Sequence, residues 1–182
     1  MTARGFERRA SKREKSILPQ HVTIRHNLEA VEVAMVDVSD KPEVPREALA
    51  EGMIKLKPKT IRLIKAGKIE KGDPLCTAKI AAILGAKKTS SLIPLCHPLP
   101  LSNIDVQTEI LDNRAVRVAA TVKTKAQTGV EMEALTAVAI GLLTVWDMVK
   151  QYEKDKGGQY PTTAIEGMRV VSKFKGEKAP RK

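Results

Sequence analysis

Four short clusters in this chain hold residue types that can move protons or grip an anion. The first is Lys71-Gly72-Asp73-Pro74, a lysine just ahead of a helix start. An anion there would meet free backbone N–H groups, the positive end of the helix dipole and an ammonium group. The same residues also make an ordinary capped helix start. The second is Leu95-Cys96-His97-Pro98, a histidine locked into an extended loop bounded by prolines. Imidazole titrates near neutrality and exchanges a proton readily, although a lone histidine among apolar neighbours is as well read as a packed residue.

The third cluster is Thr128-Gly129-Val130-Glu131-Met132-Glu133. Its two carboxylates share a face if the backbone there is extended, and point apart if both are helical. Carboxylates held close raise one another's proton affinity, which suits acid–base chemistry. Two acids also simply favour the start of a helix, by ~0.3–1 kcal/mol each. The fourth is Trp146-Asp147-Met148-Val149-Lys150, with Asp147 and Lys150 three residues apart and able to pair on a helix. By the 100° helical step, Asp147 lies about 40° around from Glu133, so both can border one cleft. No phosphate-binding glycine loop, dinucleotide fingerprint or zinc-protease motif is present.

The elements that must position these clusters follow from periodicity. Arg46 to Leu56 can pass for a helix, but 52–56 alternates apolar with polar and predicts a strand. Pro58 opens a short helix that Gly67 stops. Asp73 is the candidate N-cap of a second helix with Pro74 at its first position. Its buried side is read as Ala78, Ile80, Ala81, Ile83, Leu84 and Ala86. Three prolines, at 94, 98 and 100, exclude a helix there. Alternating residues from Ile104 to Ile110 and from Val116 to Val122, around Asp112-Asn113, form a hairpin. The longest helix begins between Glu131 and Glu133 and reaches about Tyr152, with Leu135, Val138, Leu142, Trp146 and Val149 along one side. Residues 168–172 read as a last strand.

That order is an α+β, ferredoxin-like split βαβ with an extra helix, an antiparallel sheet with helices on one face. The other face needs a cover, expected from another subunit. The chain of 182 residues suits one domain, read as 21–175, between a basic and disordered extension at 1–20 and a basic tail at 176–182. Order is expected to begin between Val22 and Val33.

Composition narrows the function. Of the net charge of +11, residues 1–16 contribute +4 (six basic, two acidic) and residues 169–182 contribute +5 (six basic, one acidic), leaving +2 between. The basic excess therefore sits at the ends, where it solvates rather than forms a nucleic-acid track. Aromatic residues are only 3% of the chain, too few for a base-stacking platform. A basic RNA-binding module on the same scaffold is thus the second reading, and no nucleic-acid partner is expected. The longest charge-free apolar run, between Glu133 and Asp147, has 13 residues, whereas a membrane span needs about 20. A cytoplasmic location and no membrane partner are expected. Cys76 and Cys96 are 20 residues apart with no close ligand pairs, so neither a metal nor a disulfide is expected.

These clusters, in this order, resemble the molybdenum cofactor biosynthesis protein C family, the cyclic pyranopterin monophosphate synthases. The matching stretches are 35–39, 71–73, 87–89, 92–99 (LIPLCHPL), 128–137 (TGVEMEALTA) and 147–150, within roughly 35–175. The resemblance implies a ferredoxin-like fold and conversion of a 3′,8-cyclised dihydro-GTP, made by a radical GTP cyclase partner, to cyclic pyranopterin monophosphate and diphosphate. It implies no metal or redox cofactor, and a homohexamer, a trimer of dimers, with sites between subunits. Carried over by position, Asp147, Lys150 and Lys71 match acid–base residues. Leu95, Cys96, His97, Glu131, Met132 and Glu133 match substrate-contacting segments, and Asp37, Arg46 and Lys173 match residues of flexible segments that close over substrate. Two stretches depart from the family pattern: 87–91 is Lys-Lys-Thr-Ser-Ser, without the usual arginine and aspartate, and 173–177 replaces a Gly-Gly-Lys-Ser tail. A third reading, a catalytically dead homologue, is disfavoured by the presence of Lys71, His97, Asp147 and Lys150 together.

Overall fold

The computed structural model describes residues 33–177. The extension at 1–20, the expected onset of order and residues 178–182 lie outside that range. Within it, eight elements follow one another: β1 (Val44–Lys55), α1 (Pro58–Lys65), α2 (Pro74–Lys87), α3 (Thr89–Leu92), β2 (Leu101–Ile110), β3 (Ala115–Ala126), α4 (Glu131–Glu153) and β4 (Ala164–Lys175). The strands form one sheet in the order β2-β3-β1-β4, every neighbour antiparallel. β1 and β2 are split by β3, as the ferredoxin-like reading requires.

Local chemistry explains most boundaries. Asp73 accepts hydrogen bonds from the N–H groups of Leu75 (2.8 Å) and Cys76 (3.2 Å), capping α2. α1 has Pro58 in its first turn, and Gly67 follows its C-cap at φ +63°, a conformation that favours glycine. β1 begins at Val44, eight residues earlier than the alternation at 52–56 implied. Pairing with β3 along its whole length, from Val44↔Ala126 to Lys55↔Ala115, extends it where its own pattern is ambiguous.

The core lies between the sheet and α2 with α4. Ala48, Ala50 and Ile54 of β1 and Val116, Val118 and Val122 of β3 face Val138, Leu142, Val145 and Val149 of α4, all fully buried. α4 is long and apolar enough to pass for a membrane span, but this packing accounts for its composition.

The buried side of α2 differs from the one expected. Ile80 and Leu84 are 57% and 53% exposed, while Ala78, Ala82, Gly85 and Ala86 are buried. The reason is the close approach of α2 to α4. A Cβ on Gly85 would lie 2.9 Å from Ile140, and one on Gly141 3.4 Å from Ala82. Only small residues fit that seam, so the larger ones turn outward.

The outer sheet face carries several charge pairs. The hairpin's apolar residues already point at the helices, and the other face is ionic. Glu51 receives Arg117 (2.8 Å) and Arg169 (2.7 Å), Glu47 receives Lys123 (2.9 Å) and Glu166 receives Lys55 (2.6 Å). Phe174, opposite Glu47 in the register, stands among these charges and is 61% exposed.

Candidate active site

The sequence clusters gather at the two ends of α4. At its C-terminal end, the α1–α2 connection is pinned down. Glu70 donates its N–H to the Tyr152 hydroxyl (3.1 Å), Gln151 donates to the Glu70 carboxylate (3.0 Å), and Gly72 turns the chain at φ +99°. This sets Lys71 against Asp147. The Lys71 ammonium lies 2.7 Å from Asp147 Oδ2 and 3.0 Å from the Asp147 carbonyl oxygen, and Lys150 lies 2.7 Å from Asp147 Oδ1. One carboxylate is thus clamped by two ammonium groups, all about half exposed. The hydrogen bonds from Lys150 and then Lys71 lower the Asp147 carboxyl to about 2. The same contact with Asp147 raises the Lys150 ammonium. Two cations on an exposed rim suit an oxyanion-rich ligand.

Of the two readings offered for the start of α2, the capped helix is the one observed. Asp73 already occupies the free N–H groups, so the helix end is an ordinary capped one, and Lys71 acts with Asp147 instead.

At the N-terminal end of α4 lies a cavity of about 400 Å³, lined on one side by Leu95, Cys96 and His97 and on another by Thr128, Gly129, Met132 and Glu133. The segment 34–41 makes a third wall. The His97 ring nitrogen Nε2 lies 2.9 Å from the Val36 carbonyl oxygen, so an N–H at that position donates to it. Asp37, next along, turns its carboxylate onto Ser39 N–H (2.9 Å) and Oγ (2.6 Å). Those two bonds, and more weakly the charge of His97, lower the Asp37 carboxyl.

Both Glu131 and Glu133 are helical, so they diverge rather than pair. Glu131 reaches Lys173 on β4 (3.1 Å), while Glu133 is only 4% exposed and faces the cavity. Burial raises the Glu133 carboxyl, with the Glu131 charge adding a smaller push. Burial and then Glu133 raise the Cys96 thiol. Arg46 donates from Nη2 to the Gln127 carbonyl (2.8 Å), just before the Thr128 stretch, and its Nε is buried without a partner among the described residues. Among the described residues no three His, Cys, Asp or Glu converge as a metal set.

One chain therefore assembles Lys71, Asp147 and Lys150 at one end. Leu95, Cys96, His97, Met132 and Glu133 stand at the other, with Asp37, Arg46, Glu131 and Lys173 on neighbouring segments. Fourteen residue steps along α4 separate Glu133 from Asp147, about 21 Å at 1.5 Å per step. The single cleft inferred from the 40° offset does not exist within one chain, because angle was matched but axial distance was not.

Two features escaped the sequence reading. Lys41 lines the cavity and carries no motif to mark it. Glu153 is fully buried and accepts the Lys57 N–H (3.0 and 3.1 Å) and the Thr163 hydroxyl (2.6 Å). Its signal was an acid in the last turn of an apolar helix, where the dipole disfavours it.

The sheet order, the split βαβ and the lysine-clamped carboxylate define a ferredoxin-like α+β protein equipped for an anionic ligand and proton exchange. Residues 35–176 match the sequence model of the MoaC family, and the chain belongs to that family. It is 59% identical over 141 residues to a probable cyclic pyranopterin monophosphate synthase of Sulfolobus acidocaldarius, covering 78% of this chain and 98% of the relative. It is 55% identical over 145 residues to a protein of the same description from Thermococcus kodakarensis, covering 80% and 92%. A Methanothermobacter thermautotrophicus relative described as a probable cyclic pyranopterin monophosphate synthase accessory protein is 55% identical over 145 residues, covering 80% and 91%.

Proposed function

We infer that this chain is a lyase of molybdenum cofactor biosynthesis that converts 3′,8-cyclo-7,8-dihydro-GTP to cyclic pyranopterin monophosphate and diphosphate. Family membership supports the activity, and the convergence of Lys71 and Lys150 on Asp147 carries its assignment to residues. Lys71 and Lys150 neutralise the triphosphate and the departing diphosphate, the charge that develops as the cyclic phosphate closes. Asp147, ionised at any working pH, accepts protons. His97 and Glu133 exchange them at the heterocycle as it opens and recloses. Leu95, Cys96 and Met132 shape the cavity for the ring, and Arg46, Lys173 and Asp37 lie on the segments that bound it.

The 21 Å between the two groups supports a site completed by a second copy. An antiparallel pair of α4 helices places the Lys71–Asp147–Lys150 end of one copy beside the His97–Glu133 cavity of the other. This belongs to a homohexamer, a trimer of dimers, working in the cytoplasm on the product of a radical GTP cyclase. Purified protein given the cyclised dihydro-GTP releases pyranopterin and diphosphate in equal amounts. Intact substrate after prolonged incubation would sink the activity. Mixing inactive Asp147→Asn with inactive His97→Ala restores part of the turnover if sites are shared, and none if they are not.

A further inference from the structure

Glu133 borders more than the large cavity. A second, smaller cavity of about 160 Å³ is lined by Lys87, Thr89, Ser90 and Leu101, and the two share Glu133 and Leu99 among their lining residues. Glu133 is only 4% exposed, and it lines both spaces. The smaller space holds roughly five waters at ~30 Å³ each. Lys87 is exposed at its rim and Ser90 half-buried within it, so its mouth opens to solvent at the end of α2. The Thr89 hydroxyl is turned to the Ala86 carbonyl (3.0 Å) and takes no part in a relay.

We propose that Glu133 is a two-sided proton carrier, and that the smaller cavity is a water-filled back route that reprotonates it while substrate fills the larger one. The proposal rests on the functional reading above and adds to it a path for the proton. Glu133, as the carboxylic acid, passes its proton to a basic atom of the heterocycle and becomes a carboxylate. A proton delivered from solvent along the waters beside Lys87 and Ser90 restores the acid, so one proton enters and one leaves with no change of electrons. Substrate seated in the larger cavity would otherwise cut Glu133 off from solvent on that side. Burial raises the proton affinity of the carboxyl, the direction a donor requires. The groups facing it are compatible with this. Glu131 on the same helix disfavours its ionisation, and Cys96 is held as a thiol. His97 and Lys41 stand across the larger cavity and Lys87 across the smaller, where a cation steadies the transient carboxylate.

Turnover of the cyclised dihydro-GTP is measured against pH in H2O and D2O for wild type, Glu133→Gln and two variants that fill the smaller cavity from opposite walls, Ser90→Leu and Leu101→Phe. Glu133→Gln, which keeps shape and loses the proton, is expected to reduce kcat by about 100-fold or more. It also removes the fall in rate as pH rises and the acid ionises. The filling variants are expected to lower kcat several-fold at unchanged KM, with an enlarged solvent isotope effect, because proton delivery becomes limiting. Two filling positions guard against one variant failing to fold, which melting by circular dichroism reports. A folded filling variant with wild-type kcat and isotope effect overturns the route. Absence of turnover in wild type overturns the functional reading instead.

Discussion

The two ends of α4 carry the same functional group in opposite surroundings. At the C-terminal end Asp147 is open to solvent, gripped by two lysines and held ionised. Some 21 Å away, Glu133 is walled in by apolar helix and loop, and its proton is held more tightly. A pair of carboxylates whose proton affinities are pushed apart divides the labour of base and acid. The difference arises from neighbours rather than from the acids themselves: ammonium groups favour the charged form and desolvation favours the neutral one.

That contrast is broken most severely by removing the clamp. Asp147→Asn and Lys150→Ala are each expected to abolish product formation, a loss of about 1000-fold or more, while the fold survives. Size-exclusion chromatography and a turnover assay check both parts, and full activity in either variant refutes the assigned roles. Next in size is Glu153→Leu, in the same terminal turn but outside the site. It strands the Lys57 N–H and the Thr163 hydroxyl and is expected to lower unfolding free energy by about 3 kcal/mol. Denaturant melts read this, with kcat at low temperature left near wild type.

Acid sharpens the comparison by acting on one end alone. Asp147 has a folded value of about 2 against its ordinary 3.8. Its contribution to stability is present above the ordinary value and lost as pH falls through the folded one. Wild type therefore loses stability between about pH 4 and pH 2 more steeply than Asp147→Asn does, as acid titrations by circular dichroism would record. Parallel curves would mean that the clamp does not couple to folding. The smallest effect is expected on the outer sheet face. Lys123→Met breaks one exposed pair with Glu47 and should change stability by less than ~1 kcal/mol, with no change in turnover. A large loss of activity there would show that this face serves the site.

Much of the fold could be read along the chain. The hairpin around Asp112-Asn113, the Asp73 cap with Pro74, the Gly67 stop and the long helix all stand where adjacent residues predicted them. The start of β1 was hidden because residues 44–51 alternate weakly, and the β3 partner that fixes them is some seventy residues away. Of the site, Lys71, Asp147 and Lys150 were nameable as a set, but the contact of Lys71 with Asp147 crosses seventy-six positions and no local pattern shows it. Glu131 and Glu133 were seen as a possible pair, and the helix beginning at Glu131 separates them.

By itself the sequence determined the order and type of the elements, their caps and breaks, and the residue types available for chemistry. Each of these depends on interactions within a few positions, so the information is local. Only the tertiary structure decided which face of α2 is buried, because Gly85 and Gly141 admit a helix approach that no single helix reveals. It alone decided which carboxylate holds its proton more tightly and how far the two ends of α4 stand apart. Burial and charge pairing are sums over neighbours drawn from distant parts of the chain, and those neighbours exist only once it has folded.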